Sequence, residues 1–326
     1  MSSAAGVAGQ ILQSGPFRRL ERWLYAMPHP LLVVEIAPSF VAAARWGMAR
    51  GHLDSYAVEP VPPGAVVASP VEANLAKGDA IRSALRRVLS RVPLRAPDIA
   101  LLIPDPVVRV FILPFETFPR SAADALPLLR WRLKKSVPFD VDETVVSWMR
   151  QTGREGNLEI VAAVARQRIV REYEQMAESV GARAGVVLSS SLATLPLLEG
   201  HGATLLVRMS GRALTTVIVR DSSLCVYRST DMTSEANLLD PQVMLDEIFP
   251  AIAYYQDTWG GSLDRVRLSG LGTREEVFRR ALSEEVKVPV APLADAEDAL
   301  LLGASTRDLL QHDMDALVGW MMNGGS

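Results

Sequence analysis

Between residues 31 and 61, apolar positions fall into three strand-length runs, "LLVVEI", "SFVAAARW" and "HLDSYAVEPV". Turn residues separate them, which predicts an antiparallel meander that turns at Gly51. The period then lengthens: Val71, Leu75, Ile81, Leu85, Val88 and Leu89 mark a helix over 71–92 that stops at Pro93. Strands "DIALLIP" and "VVRVFILPF", a helix from about Ser121 to Ser136, and strands "ETVVSWMRQ" and "LEIVAAVA" follow. Their order suggests a small inserted α+β unit at about 95–165. The run "RQRIVREYEQMAESVGA" predicts a long helix with Gly181 just past its end. In "GVVLSSSLATLPLLEG" a strand leads into a helix, with Ser189, Ser190 or Ser191 as the N-cap.

At residue 203 the pattern starts again. "ATLLVRMSGRALTTVIVRDSSLCVYRST" is a second three-strand meander, and alignment on 30–58 sets Glu35 opposite Arg208. A duplication of this length implies two similar lobes. A helix over 241–258, the strand "RVRLSG", a helix from Thr273, the strand "VPVAPL" and an apolar helix around "ALLLGA" complete the second. The ends differ from the body. Residues 1–15 have the composition of a loose arm, and Phe17, Leu20, Leu24 and Met27 lie at helical spacing opposite Arg18, Arg19 and Arg22. That helix suits either its own domain or a membrane interface. At the other end Leu310, Met314, Leu317 and Met321 form one face of an amphipathic helix, joined by Trp320. Such a stripe should dock on the body, a second copy or a partner. The resulting organisation is an arm and helix at 1–30, a first lobe at 31–200, a second at 201–305, and a terminal helix at 306–326.

Composition narrows the function. The 326 residues suffice for two lobes, and 34 basic against 37 acidic residues leave a net charge of −3. There is no broad positive field for nucleic acid. Cys225 has no second cysteine for a disulfide or metal pair, and no run reaches the ~18 apolar residues of a membrane span. A cytoplasmic location is expected. His29, His52, His201 and His312 are scattered among Pro and Gly, so no metal site is expected. The serines of "SSSL" lack a Gly-x-Ser-x-Gly elbow, and Asp140, Asp142 and Glu143 read as a solvated corner, so no catalytic residue is assigned. The helix "DALPLLRWRLKK" places Leu128, Trp131 and Lys135 near one another, and its aromatic among bases suits a peptide groove as well as a plain core.

Two meander-led lobes with an insertion in the first resemble the actin-like ATPase fold. More narrowly, the chain resembles the PilM family of type IV pilus assembly proteins. "LPFETFPRSAADALPLLRWRLKKSVPFDVDETVVSW" carries the closest likeness, with "VAAVARQRIVREYEQMAESVGARAGVVLSSSLATL" and "DEIFPAIAYYQDTWGGSLDRVRLSGLGTREEVF" matching in pattern. The resemblance implies an α/β, two-lobed, duplicated RNase H-like fold with a small inserted subdomain. It implies a cytoplasmic scaffold, at the inner face of the inner membrane, for pilus assembly and twitching motility. That scaffold would bind the cytoplasmic N-terminal peptide of a single-span membrane protein through Leu128, Trp131, Lys135, Pro138 and Phe139, reach the membrane through this partner, and self-associate through its C-terminal helix.

The resemblance also puts ATP and magnesium between the lobes, at Glu35, Ser39, Arg208, Ser210, Gly270 and Gly272. The residues argue against them. In nucleotide-binding relatives an Asp-Ile-Gly-like turn closes backbone N–H groups on phosphate, whereas here Ala37 adds a Cβ, Pro38 removes a donor and Ala42 stands where a lysine is common. Arg208 replaces the second acid. A pseudo-ATPase is therefore expected, with Arg208 turned to a protein carboxylate and Glu35 nearest to it. The alternatives are an actin-like ATPase with a divergent phosphate site and the cytoplasmic part of a type II secretion assembly protein.

Overall fold

The computed structural model describes residues 29–47, 53–93, 96–198, 200–232, 240–295 and 304–323. The predicted helix at 17–27, the turn at Gly51, His52 and most of "ALLLGA" lie outside them.

The first meander is β1 (Leu32–Ile36), β2 (Phe40–Trp46) and β3 (Leu53–Pro60). With β4 (Asp98–Ile103) and β8 (Arg183–Ser189) it forms one sheet, in the order β3-β2-β1-β4-β8. The second meander, β9 (Ala203–Ser210), β10 (Ala213–Arg220) and β11 (Ser223–Asp231), joins β12 (Arg265–Ser269) and β13 (Val290–Pro292) as β11-β10-β9-β12-β13. The two orders are the same, position for position. In each lobe the first meander strand pairs antiparallel with the second and parallel with the next strand of the sheet. Strands covered on both faces explain the continuous apolar runs.

Helices α1 (Gly78–Arg91) and α3 (Gln167–Glu178) cover one face of the first sheet, through Ile81, Leu85, Ile169 and Tyr173. Helices α4 (Pro241–Trp259) and α5 (Glu275–Val286) cover the second, through Ile248, Tyr255, Phe278 and Leu282. Asp240 caps α4, accepting from the Gln242 N–H, and Gly260 ends it in the left-handed conformation. Helix α1 is shorter than its apolar spacing predicts. Asn74 is buried and its side chain bonds Ser69 and Glu72, while Glu172 accepts from the N–H groups of Asn74 and Leu75. These side-chain bonds hold 69–75 as a loop.

The inserted unit is a three-stranded sheet, β5 (Arg109–Phe115), β7 (Leu158–Arg166) and β6 (Thr144–Thr152), in the order β5-β7-β6. It begins later than residue 95, since β4 belongs to the first lobe's sheet. Helix α2 (Ala122–Leu133), capped by Ser121, covers one face. The other face, with Met149 and Val161, packs into the core shared by the lobes. Gln151 fastens the unit to the second lobe: its Nε2 donates to the Leu224 carbonyl (2.8 Å) and its Oε1 accepts from the Leu224 N–H (3.0 Å).

The C-terminal segment departs most from expectation. In place of one amphipathic helix there are α6 (Ala304–Gln311) and α7 (Asp315–Asn323), broken at Asp313, which has φ +58°. Residues 314–321 are all buried. An all-round apolar helix belongs in a core, and α7 lies in the core between the lobes with Leu317, Val318 and Trp320. The stripe of Leu310, Met314, Leu317 and Met321 docks on the body, the first of the expected outcomes, and its burial there leaves it unavailable for the expected self-association. Among the described residues no helix is long and apolar enough to cross a membrane.

Candidate functional site

The strand ends β1, β4, β8 and β9 converge between the lobes, where an open α/β sheet ordinarily offers a ligand crevice. Here they deliver Glu35 from β1, Asp105 from the turn after β4, Ser190 and Ser191 from a helical turn after β8, and Arg208 from β9. Helix α7 adds Asp315 from its first turn.

Arg208 is the centre of the cluster and only 3% exposed. Its Nε donates to Asp315 Oδ2 (2.8 Å), its Nη2 lies 3.4 Å from Glu35 Oε1, and its Nη1 lies 3.6 Å from Asp105 Oδ2. Glu35 is the expected partner, but Asp315 is the nearer one. Of the three serines expected to supply a helix cap, Ser189 takes the N-cap position without a side-chain capping bond, and Ser190 and Ser191 serve these carboxyls. Ser190 Oγ donates to Glu35 Oε1 (2.6 Å), and Ser191 donates to Asp105 through both its N–H and its hydroxyl. Thr215 Oγ1 (2.9 Å) and the Tyr227 hydroxyl (3.2 Å) complete the shell of Asp105.

One cation is thus enclosed by three carboxyl groups away from water, an arrangement that favours protonating one of them. Burial pushes the Glu35 carboxyl up to about 7, against the pull of Arg208 and the Ser190 hydrogen bond. Among the described residues its Oε2 has no hydrogen-bond partner, leaving a seat for the proton. Burial also works against the Arg208 charge, yet Asp315, Glu35 and Asp105 together hold its pKa above the ordinary arginine value.

The remaining residues of the expected phosphate site are scattered. Ser39 and Ser210 stand on the two meander turns and line an outer cleft of about 460 Å³ with Pro38, Gly211 and Arg212. The turn tips touch: a Cβ built on Gly211 would lie 2.8 Å from Pro38 Cβ. Gly270 (φ +74°) approaches the Met209 carbonyl so closely that a Cβ there would be 1.9 Å away, and its N–H donates to Asp313 Oδ1 (2.9 Å). Gly272 lies apart in an open turn. The groups that would face a phosphate are therefore carboxyls, a proline without an N–H, and an arginine already enclosed. This surrounding repels an anion.

The residues expected to form a peptide groove do not share one. Leu128 and Phe139 pack on the inserted unit's own core. Lys135 and Pro138 line a cleft of about 550 Å³ against Tyr227 and Arg228 of the second lobe. Trp131 points outward. A different recess of about 80 Å³ lies between the inserted unit and the first lobe, and it is apolar: Val108, Val145, Ala163, Ala165, Val170 and Val187 form most of its wall. Strands β6 and β8 beside it are each the last strand of their sheet, with one edge unpaired among the described residues.

Two histidines sit in separate settings: His29 stacks on Trp320 (4.3 Å between rings), while His312 Nδ1 lies 2.7 Å from the Asp308 carbonyl. Among the described residues no group of three or more His, Cys, Asp or Glu is placed to hold a metal.

Asp105, Asp313, Asp315 and Gln151 were not anticipated. The "IPDP" turn after a strand and the repeated acid of "HDMDAL" are weak local signals; only the meeting of strand ends gives them a role.

No protein-family model matches the chain, and no curated protein matches its sequence. Its fold has clear counterparts among solved structures. A chain of the PilM–PilN type IV pilus biogenesis complex superposes with a TM-score of 0.74 at 15% identity, over 92% of this chain and 100% of that one. A Bacteroides thetaiotaomicron protein of unknown function with an actin-like ATPase fold gives 0.51 at 12% identity, over 90% and 97% of the two chains. The cytoplasmic domain of EpsL, an inner membrane component of the type II secretion system of Vibrio cholerae, gives 0.47 at 14% identity, over 73% and 80%. The fold is the two-lobed actin-like one that the sequence resemblance implied, shared over nearly the whole chain with the pilus complex.

Proposed function

We propose that the chain is a scaffold of a type IV pilus assembly machine, on the cytoplasmic side of the inner membrane. In this reading it holds the short cytoplasmic N-terminal segment of a single-span membrane protein and turns over no nucleotide. The observation that carries the reading is the apolar recess between the inserted unit and the first lobe, flanked by two strand edges unpaired among the described residues. An extended segment can satisfy its backbone groups on β6 or β8 while small aliphatic side chains enter among Val108, Val145 and Val187. The fold match to a pilus complex supports the setting. The carboxyl-lined centre between the lobes supports the absence of nucleotide chemistry.

The test is a calorimetric titration of the full chain with a peptide copying the cytoplasmic N-terminus of a single-span membrane protein encoded beside it. Val145→Asp is the discriminating variant, because Val145 is 42% exposed and its replacement leaves the core intact. Saturable binding that weakens at least tenfold in Val145→Asp is expected. No binding, or equal binding by both proteins, would refute the reading.

A further inference from the structure

Helix α2 turns Ala125, Leu129 and Leu133 into the inserted unit and presents its opposite side to water. On that side Trp131 is 73% exposed, the highest value among the exposed large apolar side chains. It lines none of the clefts described above. Arg132, Lys134 and Lys135 follow it in sequence and Arg120 lies just ahead of the helix, all exposed. Among the described residues none of these four has an ion-pair partner. Elsewhere on the surface, pairing is common: Arg82 with Asp79, Arg183 with Asp98, Arg212 with Asp231, and Arg279 and Arg280 with Glu276. The acids nearest in sequence are Glu116 and Asp124 before the basic run and Asp140 after it.

A lone exposed aromatic is unremarkable by itself. Its place close in sequence to exposed cations without an ion-pair partner among the described residues is informative. A peptide anchor needs a recess, and Trp131 lines none of these clefts. A flat anionic partner needs the reverse: an indole that reaches the headgroup layer and cations held at phosphate depth. With a net charge of −3 the chain as a whole is repelled by such a surface, so contact must be made through its positive face, in one orientation.

We propose that the outer face of α2, with Trp131 inserted and Arg132, Lys134 and Lys135 close to it in sequence, docks on the surface of an anionic phospholipid bilayer. The inference is independent of the peptide reading, because protein-free vesicles test it.

Co-sedimentation of the full chain with phosphatidylcholine vesicles, with and without phosphatidylglycerol, reads the interaction directly. Each cation near the surface is worth about a fivefold gain, so binding to the anionic vesicles should be at least ~tenfold tighter and should fall as salt is raised. Trp131→Ala should weaken binding severalfold and reduce fluorescence quenching by brominated lipid. Lys134→Glu with Lys135→Glu should abolish binding. Arg86→Glu with Arg171→Glu, an equal charge change at exposed positions on other helices, should leave it intact, and matching thermal melts should show that all variants fold. Failure to bind anionic vesicles, or equal loss in the two double variants, would overturn the proposal. So would binding of poly-glutamate without binding of vesicles, which would make the face a site for acidic peptides.

Discussion

Glu35 and Arg208 concentrate the chemistry of the molecule at two buried side chains. Glu35 titrates near 7 in the folded chain, against an ordinary value of 4.5, so between these values the folded state holds a proton that the unfolded state has released. Its contribution to stability is therefore greatest below about pH 4.5 and is lost as pH rises through 7, by roughly 3 kcal/mol in all. Glu35→Gln mimics the protonated form and can still accept from Ser190. Urea unfolding from pH 5 to 8 should show the variant gaining on the parent as pH rises, with the widest gap at the alkaline end; parallel curves would contradict this. Arg208→Met acts in the opposite direction. It leaves Glu35, Asp105 and Asp315 without their cation and should cost about 3–5 kcal/mol at neutral pH, measured by the same unfolding. The sequence made the Glu35–Arg208 pairing legible through the repeat alignment. It did not reveal Asp315 as the closer partner, because a helix that follows both repeats has no counterpart in the alignment.

Among the elements, the C-terminal segment shows best what periodicity can and cannot disclose. Apolar spacing over 307–323 announces a helix, but it does not say whether the opposite side meets water. Burial on every side of α7 follows from its place between the lobes, where Gly319 lies against the helical turn at 190–193. A Cβ at Gly319 would meet the Ala193 carbonyl oxygen at 2.1 Å and Thr194 Cα at 2.8 Å. Two effects oppose each other in Gly319→Ala. Helix propensity favours alanine by about 1 kcal/mol, while overpacking against backbone, which has no rotamer to change, costs about 3 kcal/mol or more. The clash should win, with a net loss of stability in thermal unfolding; a more stable variant would mean that α7 can shift freely. Loop 69–75 teaches the same lesson in reverse. Its apolar residues have helical spacing, but Asn74 and Glu172, far apart in sequence, divert the backbone.

For the whole molecule, the duplication was readable because each lobe repeats a local pattern, three strands and two turns, that sequence records directly. Closure of the cleft was not readable. It depends on Asp105, Ser190, Ser191 and Asp315 arriving from unlike local contexts at one point, where parallel strands end side by side. Closure also predicts how the molecule responds to ligands. A nucleotide would have to part Pro38 from Gly211, face carboxyls, and free Arg208 from Asp315, so its dissociation constant should lie at or above about the millimolar level, as loss of several phosphate contacts implies. At one millimolar magnesium-ATP the stabilisation is then at most about 0.4 kcal/mol, which moves the melting temperature of a protein this size by roughly 1 °C or less. A peptide that occupies the recess at a hundred times its dissociation constant stabilises by about 2.7 kcal/mol, a shift of several degrees. Thermal melts of one preparation with each ligand therefore separate the two functions. A large shift with magnesium-ATP, lost in Arg208→Met, would show that the lobes open and that the buried cluster is a closed form of a working nucleotide site.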